Sequence, residues 1–129
     1  MKKILTVDDN PADILINEII LRKNFPSYEA IAFNNPEEAL GFIYTHIEDL
    51  PEIILLDINM PLVSGWDIVR ELSGNGAKAN VFMLTSSMFK EDFEYSKNFP
   101  IIKDFFVKPF NAVVTEKLRV FIEEVSMLG

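Results

Sequence analysis

Asp8, Asp9, Asp57, Thr85 and Lys108 lie far apart in the chain, yet they are the residue types that handle phosphate and divalent metal. Three carboxylates brought together repel one another, so such a cluster either holds a proton or accepts a cation. Hard oxygen ligands in that number suit Mg²⁺, which keeps several waters and takes a few carboxylates plus phosphate oxygens. A hydroxyl and an ammonium beside the ion are donors for an oxyanion. Phosphoryl transfer asks little more of a protein than positioning and neutralised charge. One carboxylate of the set can then act as nucleophile and form an acyl phosphate. There is no cysteine, and the single histidine, His46, falls in a helical segment, so zinc is not expected.

Such a site exists only if the fold gathers these residues. Short apolar runs recur at Ile4–Val7, Tyr28–Phe33, Ile53–Leu56, Val81–Thr85 and Asp104–Val107. Segments with helical spacing lie between them. The first runs from Pro11 to about Asn24, with Ile14, Ile16, Ile19, Ile20 and Leu21 as its apolar side. Asn10-Pro11 opens it, an N-cap residue followed by proline at the first helical position. Asn35-Pro36 repeats the device, with Glu37 and Glu38 favourable to the helix dipole. That second helix buries Ala39, Leu40, Ile43 and Ile47. A third starts at Ser64-Gly65 and stops at Gly74-Asn75-Gly76; a fourth lies between Met88 and Lys97; the last spans about Ala112 to Met127.

Strands alternating with helices argue for βαβ units with right-handed crossovers: an α/β fold with a five-stranded parallel sheet covered on both faces. In such a sheet every strand ends on one edge, and ligands bind outside those carboxyl ends. Asp8 and Asp9 follow the first strand and Asp57 the third. Thr85, Ser86 and Ser87 end the fourth, and Lys108-Pro109 the fifth. The topology therefore collects the chemistry on one rim, and Asp57 ends the most apolar strand at a solvent-facing edge.

The 129 residues make one domain, spanning residues 1–129, with 49% hydrophobic residues to fill its core. Acids outnumber bases 20 to 12, a formal charge of −8 that repels phosphate backbones and anionic membranes. Neither nucleic acid nor a membrane is an expected partner. The N-terminal MKKILTVDDN meets acids too soon for a signal peptide, and no apolar stretch approaches the roughly 18 residues of a membrane span. A cytoplasmic domain is expected.

VDDN at 7–10, LLDINMP at 55–61 with Gly65, LTSS at 84–87 and VKPF at 107–110 together resemble the receiver domain of bacterial two-component response regulators, of the single-domain chemotaxis-regulator kind. The resemblance covers essentially the whole chain, and it implies a doubly wound, flavodoxin-like sheet of order 2-1-3-4-5 with five helices. It makes Asp57 the phosphoacceptor, supplied by a histidine kinase or histidine phosphotransfer protein in an Mg²⁺-dependent reaction. Asp9 becomes a direct metal ligand, Asp8 its companion acting through water, and Asn59 the residue whose backbone carbonyl completes the metal site. Lys108 binds the phosphoryl group. Thr85 or Ser86 supplies the switch hydroxyl; Thr85, directly after the apolar run, is preferred. Asn59 and Ser87 shape the access of water to the acyl phosphate. The family's switch aromatic falls at Phe105, which can rotate inward but lacks a tyrosine's hydroxyl.

Plainer expectations stand beside these. Met60-Pro61 and Gly65 serve turn geometry and Trp66 packs. The phenylalanines from Phe89 to Phe106 are mostly core, some lining the partner face of the fourth helix, fifth strand and fifth helix. His46 is a solvated helix residue and no phosphodonor. A chain ending directly after its fifth helix implies a stand-alone receiver without an output domain, acting on a downstream protein target as a monomer or a phosphorylation-dependent dimer. Two other classes share the rim. A haloacid-dehalogenase-like phosphatase uses a strand-end Asp and Mg²⁺, but needs a second acid where this chain has Asn59. A receiver-like binding module would signal without phosphorylation.

Overall fold

A computed structural model describes residues 2–128. Its elements alternate as the apolar pattern requires: β1 (Lys2–Val7), α1 (Pro11–Asn24), β2 (Tyr28–Phe33), α2 (Pro36–Thr45), β3 (Ile53–Asp57), α3 (Gly65–Gly74), β4 (Asn80–Thr85), α4 (Lys90–Ser96), β5 (Ile102–Val107) and α5 (Ala112–Leu128). The five strands pair in parallel in the order β2-β1-β3-β4-β5. This is the doubly wound, flavodoxin-like sheet with five helices that the motifs imply.

Strand pleating divides the core in two, because successive side chains leave a strand on opposite faces. Leu5, Val7, Ile54, Leu56, Val81 and Met83 pack with Ala39 and Ile43 of α2 and Ile68, Val69 and Leu72 of α3. Ile4, Ile53, Leu55, Phe82, Leu84 and Phe106 pack with Leu21 of α1 and Val114 and Leu118 of α5. Phe82 stacks on Phe106, their centroids 5.2 Å apart. Strand β3 lies at the centre of both clusters, and Ile53 to Leu56 have no exposure at all.

Local chemistry sets the helix starts. Asn10 accepts from the amides of Ala12 and Asp13, and Asn35 from those of Glu37 and Glu38. Ser64 and Asp67 form a reciprocal capping box at the start of α3. Gly65 is required there by space: a Cβ would lie 2.5 Å from the carbonyl oxygen of Asp57. The turn role expected for this glycine is thus a close approach of α3 to the end of β3.

The structure corrects three expectations. Ile16 and Ile19 of α1 are exposed, as is Leu15, while Asn17 is buried and donates to Thr6 Oγ1 at 3.3 Å. The inward stripe is Ile14, Asn17 and Leu21, and Asn17 meets there the buried hydroxyl of Thr6 in β1. Helix α4 falls between Met88 and Lys97 as expected, contains no buried residue, and has Phe89 as an N-cap that supplies no side-chain hydrogen bond. Phe89 and Phe93 are exposed rather than core, being held on a helix that lies against the sheet's margin; Phe106 alone of that group is fully buried. His46 caps the C-terminus of α2, donates from Nδ1 to Phe42 O, and stacks on the Phe42 ring at 4.1 Å.

Helix α4 is tied sideways instead. Trp66 Nε1 donates to Asp92 at 3.3 Å, Arg70 donates to the Tyr95 hydroxyl at 3.0 Å, and Trp66 meets Tyr95, Phe99 and Phe105 edge-on or tilted. Trp66 packs, as expected.

Candidate functional site

Register brings the rim together before any side chain acts. Val7 lies opposite Leu56, so Asp8 arrives beside Asp57; Asp57 lies opposite Leu84, and Thr85 opposite Val107. Backbone bonds continue the ladder past the strand ends: Asp8 N donates to Phe33 O, Ile58 N to Leu84 O, and Lys108 N to Thr85 O at 2.8 Å. The positions of Asp8, Asp57 and Lys108 all fall on the α1/α5 face of the pleat, continuing the alternation of Ile4, Leu55 and Phe106. Thr85 and Phe105 continue that of Met83, on the α2/α3 face.

The carboxylates of Asp8, Asp9 and Asp57 each offer one oxygen, and these oxygens all lie within 4.8 Å of one another. Asp8 is fully buried and Asp57 is 5% exposed. Asp8 Oδ1 accepts from Asn10 N at 3.0 Å and Oδ2 from Lys108 Nζ at 2.7 Å. Lys108 Nζ also lies 3.5 Å from Asp57 Oδ2, and Asn59 N donates to Asp57 Oδ1 at 3.3 Å. Burial, then the charge of Asp8, push the Asp57 carboxyl up to about 6, against the opposing pull of Lys108 and the Asn59 amide. Burial alone would lower the Lys108 ammonium; its bond to Asp8 and the charges around it raise it instead. One cation thus answers several acids, and Asp57 is raised first by its burial and then by the charge of Asp8 beside it. Oxygen-only donors at this spacing fit a hard divalent cation such as Mg²⁺.

Thr85 is buried, and its hydroxyl donates to Ser87 O at 2.6 Å and accepts from Ser87 N. Ser86 and Ser87 are exposed in the loop. The Thr85 side chain therefore closes its own turn, while Ser86 faces solvent. Asn59 is exposed beside Asp57. Phe105 is half-buried against Trp66 and Phe93, with centroids 6.3 and 6.4 Å away. The Lys108-Pro109 peptide is cis.

One residue of the site was not foreseen. Asp13, in the first turn of α1, puts Oδ2 3.3 Å from Lys108 Nζ. An acid there reads in sequence as a partner of the helix dipole, and only its place five residues after Asp8, in the turn directly above the rim, hints at more.

Comparison with known proteins agrees with this geometry. The family model described as the response regulator receiver domain matches residues 4–119. The chemotaxis protein CheY of Bacillus subtilis is 30% identical over 110 residues, covering 85% of this chain and 88% of that protein. The alkaline phosphatase synthesis transcriptional regulatory protein PhoP of the same organism is 28% identical over 113 residues; the match covers 85% of this chain but only 43% of PhoP. Among solved structures, the response regulator TrrA of Thermotoga maritima, in complex with Mg²⁺ and BeF, superposes with a TM-score of 0.76 at 28% identity, covering 92% of this chain and 97% of TrrA. With the sheet order, the acidic rim and the family model in agreement over nearly its whole length, this chain belongs to the response regulator receiver domain family and to phosphorelay signalling.

Proposed function

We propose that Asp57 accepts a phosphoryl group from a phosphohistidine on a histidine kinase or histidine phosphotransfer protein, and that the phosphorylated form alters binding to a downstream protein target. In the transfer an Asp57 carboxylate oxygen attacks phosphorus, the P–N bond to the histidine breaks, and a P–O bond forms. Asp8, Asp9, Asp57 and the Asn59 carbonyl would hold Mg²⁺. When bound, that ion supplies neutralising charge to the phosphoryl oxygens. Lys108 supplies the remaining positive charge and hydrogen-bond donors. Thr85 is the switch hydroxyl: it must give up its bond to Ser87 O to reach a phosphoryl oxygen. Phe105, on the same pleat face, follows it inward against Trp66. Asn59 and Ser87 border the acyl phosphate and govern its hydrolysis.

The observation that carries this reading is the Lys108 ammonium 3.5 Å from an acid whose two like-charged neighbours lie within metal-sharing distance. A phosphatase of the haloacid-dehalogenase kind would need an acid at the position of Asn59. The test is incubation with acetyl phosphate and Mg²⁺ followed by intact-mass measurement. One added phosphoryl group, absent from Asp57→Asn and absent with chelator, is expected. An unchanged mass, or a phosphoryl group retained by Asp57→Asn, overturns the proposal.

A further inference from the structure

Lys108 is shared among three acids, and the sharing is unequal. Its ammonium has three donors. Two make hydrogen bonds, to Asp8 at 2.7 Å and to Asp13 at 3.3 Å, while the 3.5 Å approach to Asp57 makes none. Asp8 belongs to the rim and is fully buried, so its claim on Lys108 is built into the sheet. Asp13 differs: its side chain is 40% exposed, it sits on α1 rather than on a strand end, and it stands outside the three-acid cluster. It therefore adds a negative charge beside the ammonium without joining the acids that cluster at the acceptor.

We propose that Asp13 is a positioning residue that restrains phosphorylation by holding a Lys108 donor away from Asp57. The inference rests on the phosphoacceptor role of Asp57 and deepens it. When a phosphoryl group arrives, two charges on its oxygens compete with Asp13 for the same N–H, and the Asp13 carboxylate repels them as well. Lys108 must turn from α1 toward the end of β3. The resting contact raises the barrier to phosphoryl entry, and Lys108 returning to it weakens the hold on the acyl phosphate.

Asp13→Asn and Asp13→Ser remove the charge, and Asp13→Glu keeps it. With acetyl phosphate as donor and Mg²⁺ present, the neutral variants gain phosphoryl mass about two- to fivefold faster than the natural chain, the range set by one partly solvated ion pair. Asp13→Glu stays near the natural rate. Because Asp13 is partly exposed, the ratio of rates shrinks toward one as salt is raised through about 1 M, where the Debye length is about 3 Å. A purely structural role would give no such salt dependence. An unchanged or slower rate in both neutral variants, with the natural chain phosphorylated normally, overturns the restraint while leaving Asp57 as acceptor. A natural chain that gains no phosphoryl mass under these conditions overturns both.

Discussion

At the carboxyl edge of the sheet the two faces of the pleat carry different kinds of residue. On the α1/α5 face stand Asp8, Asp57 and Lys108, locked to one another at 2.7 and 3.5 Å and resting on a core of fully buried side chains. On the α2/α3 face stand Thr85 and Phe105, whose neighbour α4 buries nothing and hangs from α3 by two side-chain hydrogen bonds. Chemistry that depends on distances of a few tenths of an ångström is placed on the rigid face. The change of shape proposed for Thr85 and Phe105 needs an element with little burial to give up, and α4 on the other face is such an element. Period-two alternation is what allows one strand edge to serve both purposes.

The sharpest way to break this contrast is to damage the rigid face and find it soft. Leu55 is fully buried, pointing to the same side as Asp57 two residues away. Leu55→Ala removes that packing and is expected to cost roughly 2–5 kcal/mol, the range for a fully buried leucine leaving a cavity. Denaturant titration reads it directly. A loss below about 1 kcal/mol would mean that the core beneath Asp57 collapses easily, and the division into a rigid and a yielding face would not stand.

The second test uses the charge itself. The Asp57 carboxyl rises from 3.8 unfolded to about 6 in the fold, so folding takes up a proton across that window and stability falls as pH climbs through it. Asp57→Asn cannot lose that stability. Discounted for solvent at the rim, the variant is expected to be more stable than the natural chain by about 1–2 kcal/mol at pH 7.5 without divalent metal. The gain should shrink as pH falls and vanish well below pH 3.8, where the natural carboxyl is protonated in both states. A gain that persists well below pH 3.8 would point to packing rather than charge. Adding Mg²⁺ at neutral pH should narrow the difference by stabilising the natural chain.

Most of the rigid face was legible in the sequence because it is written in patterns that local rules decode. Four apolar residues before Asp57 signal a strand buried on both faces, and strand alternation with helices implies that Asp8, Asp57 and Lys108 share an edge. The Asn-Pro starts of α1 and α2 and the Ser64 cap of α3 stand as read. What escaped depends on how helices cross the sheet. The apolar residues of α1 number more than one face can bury, so spacing could not decide that Asn17 turns inward while Ile16 and Ile19 face out. Aromatic richness in α4 suggested core, yet this seven-residue helix buries none of its residues, and Phe93 stays 48% exposed beside Phe105. Asp13 was hidden for a related reason: nothing local says that the first turn of α1 leans over Lys108.

The smallest expected effect probes the yielding face. Phe93 is 48% exposed, touches Phe105 at a centroid distance of 6.4 Å, and has Lys97 of the same helical segment 5.2 Å above its ring. Half-burial of an aromatic ring supports only a fraction of the ~1.5–3 kcal/mol of full burial, so Phe93→Ala should lower stability by less than about 1 kcal/mol. Its consequence should appear in α4 instead. Trp66, the chain's one tryptophan, meets Phe105 and hydrogen-bonds to Asp92, so its fluorescence reports on how α4 and Phe105 sit against α3. With Phe93 cut back, Phe105 loses an outer neighbour and favours packing on Trp66, shifting that emission before any phosphoryl group is added. A stability loss matching that of Leu55→Ala would instead make α4 part of the rigid scaffold, and Thr85 and Phe105 would then have no soft element to move.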